Sequence, residues 1–507
     1  MEVFISKLMN WIWTPLIYLC LGTGIYFSLI TRFPQVRGIN QFKKLLFAKN
    51  DGEGISSFQA FSIAISGRVG TGNIAGVATA IYFGGPGSIF WMWAIAFLGA
   101  ASAFVESALG QVWKERDGEI FRGGPAYYIE KGMKCKWYAN LFAIVTVLSV
   151  GILLPGVQGN TIVNTLNSAF GLNKIFMTTI LCVTLGLIIF GGVKRIAKVA
   201  EIVVPIMAIG YILLALIVIA VDIKRVPEIF ILIITSAFNQ NAVYGGIFGS
   251  AVMWGVKRGI FSNEAGQGTG PHAASAANGS HPAKQGYVQA FSVYVDTLFV
   301  CTASAIMMLL TGMYNVVGPD GKFITENLPE VPVGSGFVQA GLKTVFGSLG
   351  PYFVGIALTF FAFTTIMAYY YIAETNLFYL IKNKNLQNKI IQVLRIIFIG
   401  VTFTTSLKSA TLVWDMGDIG VGMMAWINLI AIIILTKPAL ALIKDYDKQY
   451  AEGKDPVFDP RDCGIEGADL WIELKEESEK KKAESAQETL QNSDSPKKEA
   501  EEDLELI

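Results

Sequence analysis

Ser66-Gly67-Arg68-Val69-Gly70-Thr71-Gly72-Asn73-Ile74-Ala75-Gly76 sets four glycines among polar residues in the middle of an apolar stretch. Each glycine costs a helix about 1 kcal/mol relative to alanine, so the run predicts a helix broken at Gly70-Thr71-Gly72-Asn73. A break at the bilayer midplane frees amide N–H groups on one half-helix and carbonyls on the other. The N–H groups near Thr71 and Gly72 would suit a substrate carboxylate, and the carbonyls of Ser66 and Val69 a small hard cation such as sodium. A second cluster, Tyr244-Gly245-Gly246-Ile247-Phe248-Gly249-Ser250, predicts a second break whose carbonyls would accept from a substrate ammonium. For either cluster alone, a kinked packing helix without a ligand is the alternative.

Other polar residues inside apolar runs extend the candidate set. Thr364 and Thr365 could give hydroxyl oxygens to a cation or merely bond back to their own turn. Gln158, beside Pro155, Gly156 and Gly159, could hydrogen-bond substrate or join two helices. Arg68, Glu106 and Asp296 are intramembrane ionisable residues and therefore functional candidates. Asp296 could ligate a cation, carry a proton or serve only as structure, and Arg68 needs an acidic partner or water. With two histidines and no H-E-x-x-H, P-loop or G-x-S-x-G, the chain gives no support to an ATP-driven pump or an enzyme. Cys20, Cys135, Cys182, Cys301 and Cys463 lack C-x-x-C spacing, so neither a disulfide framework nor a zinc site is expected, and no cofactor is implied. The net charge of +1 gives no nucleic-acid footprint.

Long apolar helices must position these residues. The 507 residues are 53% hydrophobic and 16% charged, with a mean hydropathy of +0.49, where a soluble domain carries about 25% charge. Apolar runs long enough to cross a bilayer fall at about 10–31, 57–83, 87–113, 139–168, 175–193, 199–222, 229–256, 286–312, 350–380, 390–410 and 414–436. Without period-2 alternation they read as an all-α bundle of about eleven spans. The first run lacks a cleavage site and is expected to be retained. Alternate loops hold twenty basic residues against seven in the others and the N-terminus, which places the N-terminus outside and the C-terminus in the cytoplasm. Setting the first span aside (1–56) leaves two five-helix halves, 57–228 and 229–436, with the glycine-broken spans first in each. Glycine-interrupted segments at matching positions of inverted halves point to a secondary transporter's binding site. Residues 437–507 read as a charged, largely disordered cytoplasmic tail, a short amphipathic segment followed by disorder.

Gly70-Thr71-Gly72-Asn73-Ile74-Ala75-Gly76-Val77-Ala78-Thr79-Ala80-Ile81 and Gly255-Val256-Lys257-Arg258-Gly259-Ile260-Phe261-Ser262-Asn263-Glu264-Ala265-Gly266, with Val295-Asp296-Thr297 and Cys301-Thr302, resemble signatures of the alanine or glycine:cation symporter family. The resemblance runs from about residue 10 to 440. It implies a LeuT-type inverted-repeat core with an extra N-terminal helix, in a multi-pass protein of the cell membrane. It also implies uptake of a small neutral amino acid, alanine or glycine, coupled to sodium or sometimes protons. It assigns substrate contacts to Thr71, Gly72 and Gln158 and to Gly245 and Gly246 of the second break, with Ile247, Phe248 and Tyr369 shaping the side-chain compartment. Sodium would be held by Ser66, Val69, Asn73, Thr364 and Thr365. The chain departs from the family pattern at Gln267-Gly268-Thr269, where members often read Leu-Gly-Ser, and at His272. These departures bear on the loop from Gly255 to Gly268, expected at the cytoplasmic mouth as either a gate or a structural turn. A glutamine or serine symporter fits the same signatures. An amino-acid sensor that binds without transport is the reading from another class.

Overall fold

The computed structural model describes residues 2–48, 53–238, 245–477 and 479–480. Fifteen helices carry the argument: α1 (Glu2–Ile30), α2 (Ser57–Arg68), α3 (Val77–Gly84), α4 (Ser88–Val112), α5 (Lys136–Phe170), α6 (Lys174–Ile189), α7 (Gly192–Val221), α8 (Val226–Phe238), α9 (Gly245–Asn263), α10 (Gly270–Ala276), α11 (Pro282–Thr311), α12 (Leu349–Leu380), α13 (Lys384–Ser406), α14 (Ala410–Ile434) and α15 (Thr436–Ala451). Two short antiparallel hairpins, Glu115–Asp117 with Ile120–Arg122 and Asn315–Val317 with Phe323–Glu326, lie in connecting segments.

Local chemistry sets several helix starts. Ser56 accepts the Gln59 N–H at 3.1 Å while the Gln59 side chain accepts the Ser56 N–H at 3.1 Å, a reciprocal cap that fixes the entry of α2. Asn173 and Asn383 side chains accept the first amides of α6 and α13. Outward faces of the long helices carry large apolar residues such as Val183, Leu187, Ile206, Leu213 and Ile396, all more than half exposed. In water such faces would aggregate, whereas hydrocarbon covers them without cost.

Among the described residues eight helices are long and apolar enough to cross a membrane: α1 from Phe4, α4, α5, α7, α11, α12, α13 and α14. The other three expected spans fall short for identifiable reasons. Span 57–83 is divided between α2 and α3, span 175–193 yields the 16-residue α6, and span 229–256 is shared by α8 and α9.

The disordered tail expected from residue 437 needs correction. Helix α15 continues from α14, and the chain to Glu477 folds back on the bundle, where Tyr446, Phe458 and Trp471 are buried. The Trp471 indole N–H donates to the Gln111 carbonyl at 3.0 Å, and its ring meets Phe458 edge-on at 5.3 Å. Asp459 joins Arg461 and Lys475 at 2.6 and 2.9 Å, and those cations hold its carboxyl well below the usual range. That contribution is complete above an unfolded aspartate's pKa of about 3.9 and is lost as pH falls through the lower folded value. Composition averaged a few deep anchors into a charged background, so the docking was invisible to it. Residues 481–507 lie outside the described residues.

Replacing Trp471 by alanine should loosen this segment by on the order of 3–5 kcal/mol. Limited proteolysis of the full chain should then cut between Ala451 and Glu477 much faster, and unchanged protection would show that Trp471 is not an anchor.

Candidate functional site

The first break is real but begins earlier than the glycine count placed it. Helix α2 ends at Arg68, and Val69 is extended with φ −78° and ψ 91°. Gly70 follows, and the chain re-enters helix at Thr71 through a wide turn over Gly72–Gly76 before α3. Three of the freed backbone groups meet side chains. The Gly70 N–H donates to Asn73 Oδ1 at 2.8 Å, and the Thr71 N–H donates to Gln158 Oε1 at 3.0 Å. Thr365 Oγ1–H lies 3.3 Å from the Val69 carbonyl and 3.0 Å from that of Phe361. Gly70 is required here because a Cβ would sit 2.5 Å from Thr365 Oγ1 and 2.9 Å from Gln158 Oε1. The Thr71 hydroxyl is wholly buried with no partner among the described residues. An orphaned polar atom at a break is the sort of group a ligand would satisfy.

The second break is not where the sequence placed it. Gly245, Gly246 and Ile247 belong to the first turn of α9, which runs unbroken to Asn263; Tyr244 and the rest of 239–244 lie outside the described residues. Phe248 packs against Trp91 at 6.2 Å. It stands roughly 20 Å along the helix axis from Ser262, at 1.5 Å per residue. The interruption that faces Val69-Gly70 is the stretch from Glu264 to Thr269. There Glu264, Gly266 and Gly268 have φ of 55°, 78° and 86° before α10 begins. Left-handed backbone at a non-glycine residue is costly and recurs at functional sites. The contacts confirm the pairing, since α3 packs on α9 and α2 on α10. A Cβ on Gly72 would lie 3.0 Å from the Ser262 Cα, so the two interrupted chains nearly touch there. The loop expected over Gly255–Gly268 is thus half helix and half break.

Two carboxylates secure this centre. Glu106 on α4 accepts the Gly266 and Gly268 N–H groups at 3.2 and 3.1 Å and the Asn428 amide at 2.6 Å, while the Asn428 oxygen accepts the Tyr128 hydroxyl. Asp296, in the wide turn Val295–Cys301 within α11, accepts Asn73 Nδ2–H at 2.6 Å, the Ser262 hydroxyl at 3.1 Å and the Thr297 hydroxyl at 2.7 Å. Asp296 therefore braces the first break against α9.

The remaining candidates divide. Gln158, Thr365 and Asn73 converge on the first break, and Tyr369, one turn beyond Thr365 on α12, turns its hydroxyl to Gln158. Thr364 bonds back to the Phe360 and Phe361 carbonyls at 3.0 and 2.9 Å and faces Met207 Sδ, away from the break. The Ser66 hydroxyl likewise donates to the Ile63 carbonyl at 2.7 Å. The Asn73 oxygen is already given to the Gly70 N–H. Missed by the sequence reading were Ser262, Glu264, Gly266, Gly268 and Asn428. The alternation Gly266-x-Gly268-x-Gly270-Pro271 after Asn263 was the available signal, because glycines past an apolar helix mark its end.

Beyond the breaks, toward α3 and the early turns of α9, a buried ionic cluster joins α9 to α14. Arg258 makes two parallel bonds to Asp418 at 3.0 and 2.7 Å, and Lys257 joins the same carboxylate at 2.6 Å. Trp414 and Phe261 cover the Arg258 guanidinium at 4.7 and 5.4 Å.

Comparison with known proteins gives a consistent result. The model of the sodium:alanine symporter family matches residues 1–460. YrbD of Bacillus subtilis (strain 168), provisionally named a sodium/proton-dependent alanine carrier, is 55% identical over 93% of this chain and 98% of its own. The sodium/proton-dependent alanine carrier of Bacillus sp. (strain PS3) is 49% identical over 83% of this chain and 95% of its own. Among solved structures, a sodium-coupled sialic acid symporter in a substrate-bound, outward-open state shares the fold at a TM-score of 0.50 and 11% identity, over 90% of this chain and 96% of that one.

Replacing Gly70 by alanine should push Thr365 or Gln158 out of place at a cost of about 1–3 kcal/mol. The purified variant's melting temperature should fall by several degrees; an unchanged value would mean the break has slack that the geometry denies.

Proposed function

The chain belongs to the sodium:alanine symporter family, and from that premise we propose that it imports alanine together with sodium by alternating access through the paired breaks. The observation that carries the site assignment is the meeting of two interrupted helices around Thr71, whose hydroxyl is buried and has no partner among the described residues. A substrate carboxylate would take the Thr71 amide in place of the Gln158 oxygen, with the Thr71 hydroxyl and the start of the Gly72–Gly76 turn adding donors. The displaced Gln158 amide and Tyr369 would then border the substrate. Carbonyls freed at the end of α9 would accept from the ammonium, a role first assigned to Gly245 and Gly246. Phe261 and Trp414 lie against Gly72 and Gly76 of the first break, which favours alanine over a long side chain.

Sodium would bind at the Val69 carbonyl with Thr365 Oγ1 and the Ser66 carbonyl as further oxygen ligands. Extended Val69 turns its carbonyl out of the α2 ladder, which supports this reading. Thr364 and Asn73 keep a weaker claim, since their oxygens serve other bonds. Sodium at Val69 would order the break and so raise amino-acid affinity, and the coupling must be reciprocal.

The proposed topology is a five-plus-five inverted core, 57–228 and 229–436, behind α1, with eleven crossings. The N-terminus lies outside and the C-terminus in the cytoplasm, as the Lys/Arg bias favours. The Arg258–Asp418 cluster then closes the outer path, and α2 with α10 borders the inner one.

Purified protein in liposomes should accumulate labelled alanine under an inward sodium gradient, and uptake indifferent to sodium would remove the sodium assignment. A parallel screen with glycine, serine and glutamine decides among the small amino acids. Thr365→Val removes one oxygen ligand and should raise the sodium concentration for half-activation by about tenfold, equivalent to ~1.4 kcal/mol. Unchanged sodium activation would take Thr365 out of the site.

A further inference from the structure

Arg68 lies within the bundle near three carboxylates, Glu106, Glu264 and Asp296, and all four are almost completely buried. A dry interior does not tolerate three negative charges against one positive unless donors or counter-ions make up the difference. Two of the acids are well provided. Glu106 receives two backbone amides and Asn428, and Asp296 receives Asn73, Ser262 and Thr297.

Glu264 is different. Its Oε2 accepts the Thr269 hydroxyl at 2.7 Å, while Oε1 has no partner among the described residues. It borders a cavity with room for about one water, lined by Gly67, Glu264, Thr269, Gly270, Ala368 and Tyr371 among others. Arg68 approaches from the same side. Its Nη2 would lie 2.8 Å from a Cβ on Gly270, and neither Nη2 nor Nε has a partner among the described residues, while Nη1 is held by Gln289 and Ser292 on α11. Glu264 also stands at the φ-positive start of the second break, so its surroundings change whenever α10 moves against α2.

Building on the transport reading, we propose that Glu264 binds and releases a co-transported proton at Oε1, which has no partner among the described residues, the proton entering and leaving through the cavity that the Glu264 side chain borders. On loading, hydronium gives its proton to Oε1, an O–H bond forms, water is left and the carboxylate becomes neutral. On unloading, the O–H bond breaks, the proton passes to water on the opposite side, and Arg68 supplies the counter-charge to the carboxylate. The groups facing Glu264 are Arg68 on α2, Asp296 on α11, Tyr369 and Tyr371 on α12 and Thr269 in its own loop, with Glu106 on α4 behind Arg68 and His272 on α10 behind Thr269 and Tyr371. With Glu106 and Asp296 held by their donors, Glu264 is the carboxylate whose charge a proton removes, and in this proposal that proton travels in the same direction as sodium.

The test uses the full chain in liposomes holding a pH dye, with labelled sodium and labelled alanine followed in parallel. Alanine added outside should acidify the wild-type lumen, and sodium-driven uptake should rise as external pH falls. Glu264→Gln, fixed in the neutral form, should lower the protons moved per alanine taken up by at least about tenfold and flatten the pH dependence, whatever its effect on the absolute rate of sodium and alanine uptake. Glu264→Asp should restore part of that ratio. A wild-type ratio of protons to alanine in Glu264→Gln overturns the proposal, as does a wild type that moves alanine with sodium but no protons. If Glu264→Gln does not fold, Gly67→Ala, whose methyl would lie 3.1 Å from Oε2, should slow proton movement more than sodium movement. Equal slowing overturns the proposal. A wild type that accumulates no amino acid under any gradient sinks the transport reading and this one with it.

Discussion

A helix interrupted in hydrocarbon leaves backbone groups that lipid cannot satisfy, and the centre of this protein is organised around meeting that demand. Asn73 takes the Gly70 amide, Gln158 takes the Thr71 amide, and Glu106 takes two amides of the second break. Asn428 also donates to the Gly266 carbonyl at 2.9 Å. These clamps come from α5, α4 and α14 as well as from the broken chain itself. The interruption therefore ties the bundle together instead of weakening it. A substrate bound at the proposed site would compete with the clamps for the same groups, so that binding and rearrangement would become one event.

Close approach of the helices is the second condition. Gly255 and Gly259 lie one turn apart on α9 and face Ser88–Ile95 of α4, where a Cβ on either would strike that helix. Small residues at such spacing let membrane helices meet at backbone distance. Position Gly72 does the same between the first break and Ser262. The many glycines thus perform two separate tasks. Those of α9 hold helices close, whereas Gly70, Gly266 and Gly268 permit backbone that no other residue would adopt or fit without strain.

That double use explains how much of the molecule could be read in advance. Apolar runs carry the helical, membrane-spanning class outright, because hydrophobic length is a direct physical requirement. The first break was legible too, since four glycines with Asn73 leave little else for the stretch to do. The second was misplaced because Gly245, Gly246 and Gly249 look like a break on composition alone, yet they start a helix. Glu264-Ala265-Gly266-Gln267-Gly268-Thr269 reads as an ordinary loop until α10 is seen packed on α2. Thr365 and Thr364 show the same limit on a smaller scale. They are adjacent and chemically equal, but a step of one residue turns a helical side chain by about 100°, so only one reaches Val69. Which face of a helix meets the site is a tertiary fact. Deep anchors such as Trp471 in a charged tail belong to the same category.

Buried ion pairs stand on both sides of the breaks, and their energetics favour discrete states over gradual opening. Arg258, Lys257 and Asp418 lock α9 to α14 on one side. On the other, Arg122 joins Asp117 and Glu374 of α12 at 2.6 and 3.1 Å, and the Tyr371 hydroxyl donates to the His272 carbonyl of α10 at 2.9 Å. Such pairs add little net stability over apolar packing, but separating one without solvating both partners costs about 3–5 kcal/mol. Partial separation is therefore the least favourable arrangement. A path opens only when water can reach both charges at once, and the pair on the opposite side then remains dry and closed. Strong penalties for half-open geometry are what a transporter needs to keep its two gates from leaking together.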